Sequence, residues 1–217
     1  MNRELYPLVS VDVALFSMDE EGLKVLLVRR SQEPEAKRWA LPGGVLKPHM
    51  DKSLEDAARR VLAAKVSVEL PHVDEVRTFS GPDRDPRGWS LAVLHYALLP
   101  RDKVDAVVRS KVEAVEWADA SAPGHRLAFD HAEQLTAAVQ KLRAKVASSV
   151  LPLHLLPEKF TLTQLQKVVE GILGHPLDKS SFRRRLKESS DLVELDEFVH
   201  GAQRPARLFR SSETFEF

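Results

Sequence analysis

The chain contains no cysteine. That excludes disulfides, thiolate zinc sites and a cysteine nucleophile, and it fits a reducing compartment, so a cytoplasmic location is expected. A net charge is lacking too: 32 Lys and Arg balance 32 Asp and Glu over 217 residues. Residues 150–217 carry ten of each sign, which leaves 22 of each in the residues before them. Bulk charge therefore gives no support for a nucleic-acid partner, which has to be argued from local clustering instead. No run of about 18 apolar residues occurs, so no membrane span is expected. The opening stretch, MNRELYPLVSVDVALFSM, has no basic start leading into a continuous apolar run and does not read as a signal peptide. What remains, 43% hydrophobic and 29% charged residues, is the composition of a soluble globular protein, long enough for two domains.

The stretch Trp39–Val68, WALPGGVLKPHMDKSLEDAARRVLAAKVSV, is the most informative. It reads as a strand end, a Pro42-Gly43-Gly44 turn, a loop and an amphipathic helix. Ser53 is the expected N-cap, with Asp56 three residues on to complement the helix dipole. Leu54, Ala57, Ala58, Val61, Leu62 and Lys65 fall on one stripe, apolar until its last turn.

These residues resemble the Nudix box, a Gly-rich turn followed by a helix with the pattern Arg-Glu-x-x-Glu-Glu-x-Gly. In that family the glutamates hold Mg²⁺ ions that polarise a pyrophosphate and activate water. Gly43, Gly44 and Arg60 match the pattern over 44–68, but Val61, Ala64 and Lys65 stand at the three glutamate positions and Ser67 at the Gly. The loop is about two residues longer than the family pattern, with Lys52 where an acid is usual. Neither Val nor Ala ligates a hard cation, and Lys adds a positive charge there. The resemblance thus implies a Nudix domain without metal and without catalytic residues, one that binds rather than cuts.

Around the box, Leu8–Arg30 reads as two strands about the turn Asp19–Gly22. Arg29 and Arg30 close the second strand, either as a solvated strand end or as contacts to a ligand phosphate, which suits the guanidinium fork. Val73–Phe79 reads as a strand and Ser80–Trp89 as a turn-rich loop carrying Arg84, Asp85, Arg87 and Trp89. Such charges are commonly only solubilising, but a Trp beside two arginines also suits a base and its diphosphate. Leu91–Leu99, apolar throughout, is expected to be a strand buried on both faces. Val112–Trp117 follows as a strand, and Phe129–Lys145 as a long amphipathic helix. Strands interleaved with two helices make residues 5–147 an α/β layered domain. Residues 148–157, apolar with two prolines, form a linker expected to pack rather than swing.

From residue 158 to 217 the pattern changes to helix, turn, helix, hairpin. Thr161 and Gln164 make a capping box, Leu165, Val168, Val169, Ile172 and Leu173 an apolar face, and Gly174 with Pro176 a stop. Asp178 caps a second helix in which Phe182 and Leu186 form the underside, while Ser180, Arg183, Arg184 and Lys187 fall on the other side. That is the pattern of a recognition helix, with Arg183 and Arg184 placed for base edges. A hairpin is expected over Leu192–Phe209, with turns near Asp196-Glu197 and at GAQRP, and with Arg204, Arg207 and Arg210 as phosphate contacts of a wing.

The whole chain, in this order of parts and in the segments LAFDHAEQL, LPEKFTLTQLQ, HPLDKSSFRRRL and RPARLFR, resembles the Nudix-related transcriptional regulators of NAD metabolism (NrtR). The resemblance implies a Nudix-type α/β/α layered domain with a C-terminal winged helix-turn-helix. It also implies a homodimeric repressor of NAD biosynthesis or salvage genes on palindromic double-stranded operator DNA, released by ADP-ribose. By analogy Arg29, Arg30, Trp39, Gly43, Gly44, Arg84, Arg87 and Trp89 would line the effector cleft, with no cofactor. The alternatives are a Mg²⁺-dependent ADP-ribose or nucleoside-diphosphate hydrolase with an accessory domain, and an RNA- or protein-docking module.

Overall fold

Alternation along the first strand decides how the molecule is layered. In a computed structural model that describes residues 6–66, 73–103, 112–148, 152–199 and 205–215, β1 (Leu8–Asp19) is buried continuously from Val11 to Ser17. It is the central strand. β2 (Gly22–Arg30) returns antiparallel after a turn of Glu20 and Glu21, and the short β3 (Trp39–Ala40) and β4 (Gly43–Val45) pair with β2 and β1. After α1 (Leu54–Val66), β5 (Asp74–Gly81) and β6 (Ser90–Leu98) form a hairpin whose second strand runs parallel to β1. β7 (Val112–Asp119) covers the far side of β2, and α2 (His131–Ala147) closes the domain.

Odd-numbered β1 residues Val11, Val13 and Leu15 pack with Ala57, Ala58 and Leu62 of α1. Even-numbered Ala14 and Phe16 pack with Leu135, Ala138, Val139 and Leu142 of α2. The result is the α/β/α layering expected, and β6 is buried on both faces as its unbroken apolar run requires.

The second unit follows through residues 152–157, whose Leu153, Leu155 and Leu156 are buried in the same cluster as α2. β8 (Phe160–Thr161) leads into α3 (Leu162–Leu173), then α4 (Lys179–Lys187), β9 (Leu192–Val199) and β10 (Ala206–Ser211), with strand order β8-β10-β9. Thr161 and Gln164 form the reciprocal capping box, worth about 1 kcal/mol for such a cap. Gly174 ends α3 at φ +78°, a left-handed position where a Cβ is penalised. Asp178 caps α4 by accepting the Ser181 N–H at 2.8 Å.

One expectation fails here. Asp196 and Glu197 do not make a turn; β9 runs from Leu192 to Val199 and pairs with β10 as far as Val199 opposite Ala206, the register shifting between Glu194 and Phe198. Cross-strand pairing overrides the weak local preference of two acidic residues for a turn.

The two units share one hydrophobic core. Leu142 of α2 and Leu165 and Ile172 of α3 are fully buried in it. Arg143 Nε donates to the Ile172 carbonyl at 2.8 Å and its Nη2 to Ser121 Oγ at 3.1 Å, tying the end of α3 to the Nudix-like layer.

Candidate functional site

The Gly43-Gly44 turn brings β4 against β1 at Asp12, and the consequence is a cavity of about 370 Å³. β1 supplies Ser10 and Asp12, the end of β2 Arg30, the turn Gly43 and Gly44, α1 Arg60, Val61 and Ala64. The 82–89 loop adds Arg84, Asp85 and Arg87, and the entry to α2 adds Phe129 and His131.

The floor is a buried polar network. Asp12 is 5% exposed, and its Oδ2 accepts from Gln134 Nε2 at 3.2 Å with His131 Nε2 at 3.7 Å. The main-chain N–H of Leu41 donates to His131 Nδ1 at 2.9 Å, which fixes the proton on Nε2, facing Asp12. Burial lowers the His131 pKa, so the ring is neutral. Gly43 is required because a Cβ there would fall 1.8 Å from Asp12 Oδ1. Above this floor, Arg84 holds Asp130 in a two-pronged pair, Nε and Nη2 each at 2.9 Å, while Nη1 reaches Ser90 Oγ at 3.2 Å.

The remaining cations differ in their partners. Arg60 pairs with Asp51 at 2.5 and 2.7 Å and donates to the Val45 carbonyl. The Arg60 bonds, with help from the Lys47 N–H, hold the Asp51 carboxyl at a pKa of about 2. Arg87 pairs with Asp85 at 3.0 and 2.7 Å. Burial works to raise the Asp85 carboxyl, yet its bonds from the Arg87 side chain and N–H hold it below the ordinary value. Among the described residues Arg30 makes no ion pair: Nε and Nη2 donate to the Pro34 carbonyl at 3.0 and 2.7 Å, and the guanidinium lies 4.8 Å from the Phe129 ring centre. Phe129 itself sits at φ +52°, a strained backbone for a bulky residue and the kind of strain that collects at ligand sites.

Of the eight residues expected in the cleft, Arg30, Gly43, Gly44, Arg84 and Arg87 line the cavity. Arg29, Trp39 and Trp89 do not. Arg29 and Arg30 point to opposite faces of β2, and Arg29 instead reaches the Lys37 carbonyl and Glu113. Trp39 stacks on His125 with ring centres 5.1 Å apart, and Trp89 is half exposed outside the cavity lining. The sequence reading missed Asp12, Phe129 and His131. A lone carboxylate inside VSVDVALF was the available signal for Asp12; Phe129 and His131 fall in the segment LAFDHAEQL, about 120 residues further on, whose resemblance was the available signal for them.

The fold implies a divalent metal, and the donors can be tested against it. At the glutamate positions Val61 is buried, with its Cγ2 3.1 Å from where a Gly44 Cβ would lie, and Ala64 is a cavity-wall methyl. The Lys65 side chain lies outside the described residues. Among the described residues no three His, Asp or Glu side chains converge into a cation site. The donor set does not fit Mg²⁺, which needs carboxylate oxygens.

On α4, Phe182 and Leu186 face the core, and Ser180, Arg184 and Lys187 are exposed on the outer side. Arg183 is not. About 100° round from Phe182, it is half-buried and donates from Nη2 to Thr163 Oγ1 of α3 at 3.1 Å. In the wing, Arg207 pairs with Glu194 and stacks over Phe198 at 4.9 Å. Arg204 lies outside the described residues.

A Nudix-type sandwich sharing its core with a capped helix-turn-helix and wing is a DNA-reading module built onto a small-molecule-binding domain. Residues 7–139 match the NUDIX domain family, and residues 152–211 match the NrtR DNA-binding winged helix domain. The chain is 40% identical over 205 residues to the ADPR responsive transcriptional repressor NtrR of Acinetobacter baylyi, covering 94% of this chain and 82% of that one. It superposes on Shewanella oneidensis NrtR complexed with a 27mer DNA at a TM-score of 0.84, with 35% identity, covering 94% and 93% of the two chains. The NUDIX domain of that NrtR complexed with ADP ribose matches at a TM-score of 0.59 and 34% identity, over 65% of this chain and 94% of the other. The chain belongs to the NrtR family of Nudix-domain, winged-helix regulators.

Proposed function

We propose that the protein is a transcriptional repressor of NAD biosynthesis or salvage genes. It binds a palindromic operator as a homodimer through residues 158–217 and releases it when ADP-ribose enters the cavity of residues 5–147. One observation carries this reading: an arginine-rich cavity over a box with Val61 and Ala64 at two of its three metal positions shares a continuous core with a capped helix-turn-helix. The repressor and the two NrtR structures above support both ligands. An effector that binds the DNA-free form better than the bound form shifts the population off DNA. Ser180, Arg184 and Lys187 face the DNA, and Arg30 and Arg87 face the diphosphate, with Arg84 braced behind them by Asp130. The chain hydrolyses nothing, because Val61 and Ala64 supply no ligand for a catalytic cation.

The test is fluorescence-anisotropy binding to duplex DNA from the protein's own gene neighbourhood, at one fixed salt concentration, with and without ADP-ribose. Tight binding relieved by ADP-ribose is the expected result. Binding no tighter than to unrelated duplex removes the repressor reading. Chelator-sensitive turnover of ADP-ribose restores the hydrolase.

A further inference from the structure

In a Nudix cleft that holds Mg²⁺, the cation neutralises the ligand's diphosphate from the box helix. Here that helix wall is apolar at Val61 and Ala64, and Arg60 is committed to Asp51 at its edge. The described residues that line the cavity carry five cations, Arg30, Lys47, Arg60, Arg84 and Arg87, against the three carboxylates Asp12, Glu33 and Asp85. Among the described residues lining the cavity, Arg84 and Arg87 have carboxylate partners, whereas Arg30 and Lys47 make no ion pair. Arg30 is half-buried, is held only by carbonyls and the Phe129 ring, and lies close enough to Arg87 to be repelled by it. Burial, and then the Arg87 charge, lowers its pKa. A half-buried guanidinium that makes no ion pair among the described residues, beside a second one and with Asp12, Asp85 and Glu35 acting on it only at a distance, suits an anion.

From these walls we infer that the cavity takes a diphosphate ester as the free anion, with Arg30 and Lys47 in the charge-neutralising role that a divalent cation plays in the metal-holding members of the fold. Mg²⁺ then has no favourable place in the complex. A chelated diphosphate has lost two negative charges that the arginines would meet, and it presents its cation to Val61 and Ala64. Metal-bound ligand binds less well than free ligand, so Mg²⁺ opposes the effector rather than assisting it. The inference rests on the effector reading above and adds the ionic form in which the ligand is recognised.

Calorimetric titration of the full chain with ADP-ribose, in EDTA and in excess MgCl₂, tests it. Affinity in EDTA is expected to exceed that in MgCl₂. Inorganic pyrophosphate is expected to compete with ADP-ribose in EDTA, since the anion alone carries the contact. Arg30→Gln, which keeps the bonds to the Pro34 carbonyl within reach but removes the charge, is expected to weaken binding in EDTA by about tenfold or more. Equal affinity in the two buffers, any tightening by Mg²⁺, or binding seen with Mg²⁺ alone, overturns the inference and leaves the effector reading intact. No binding in either buffer overturns the effector reading and this inference with it. The two-buffer comparison uses the natural chain, so it stands even if the Arg30 variant fails to fold.

Discussion

Replacing Gly43 by Ala tests the floor of the cavity most sharply. The added methyl would fall 1.8 Å from Asp12 Oδ1, 3.0 Å from its Cγ and 3.3 Å from the Val11 carbonyl. Two of these contacts are shorter than or at the limit real Cβ atoms reach, and the third belongs to the backbone of the central strand, which cannot retreat. Asp12 therefore has to swing away, leaving the buried His131 Nε2–H without the carboxylate it faces and Gln134 Nε2 with Asp130 Oδ1 alone. Overpacking of this kind costs about 1–3 kcal/mol and a buried donor left unpaired about 1–3 more, so a loss of roughly 2–6 kcal/mol is expected. For a chain of this length that corresponds to a fall in Tm of roughly 4–24 °C. Differential scanning calorimetry reads it directly. The double variant Gly43→Ala with Asp12→Ala removes the clashing carboxylate, and the two changes should be non-additive by more than about 0.5 kcal/mol. Gly44→Ala is the control: its methyl meets only Val61 Cγ2 at 3.1 Å, a milder contact. The reasoning is refuted if Gly43→Ala melts with the natural protein, or if Gly44→Ala is the more damaging of the two.

Three further outcomes are expected. His131 and His95 are buried with pKa values lowered chiefly by desolvation, so they contribute stability that is fully present above about 6.5 and lost as pH falls toward their lowered folded values; melts from pH 8 to 5 should show Tm falling below 6.5, more gently in His95→Gln. Arg184→Ala should weaken DNA binding and reduce the slope of log K against log salt by about 1 if it meets a phosphate, whereas Arg183→Ala, which loses the Thr163 bond, should also lower Tm. Arg143→Ala removes two hydrogen bonds across the shared core and should cost about 1–3 kcal/mol in urea unfolding, while Arg143→Lys recovers only part because one ammonium cannot span both acceptors.

Much of this protein is legible in order along the chain. Alternation in VSVDVALF specifies a half-turned central strand, the Pro-Gly-Gly turn and Ser53 place the box helix, and Thr161 with Gln164 and Asp178 cap the two DNA-binding helices, because each depends on contacts within a few residues. The apolar residues at the glutamate positions are legible for the same reason: a helix sets which side chains share a face. Tertiary structure alone decided the rest. Which arginines face the cavity depends on strand faces and on Asp130 and Asp85 arriving as partners. Arg183 turned inward because α3 offered Thr163, and Phe198 joined a longer strand because β10 lay opposite it. The cavity floor joins Asp12 to His131 and Gln134 across more than a hundred residues. Local propensity acts over one turn of helix or one pleat of strand, whereas the charge state and aim of a buried side chain are set by whatever the fold brings beside it.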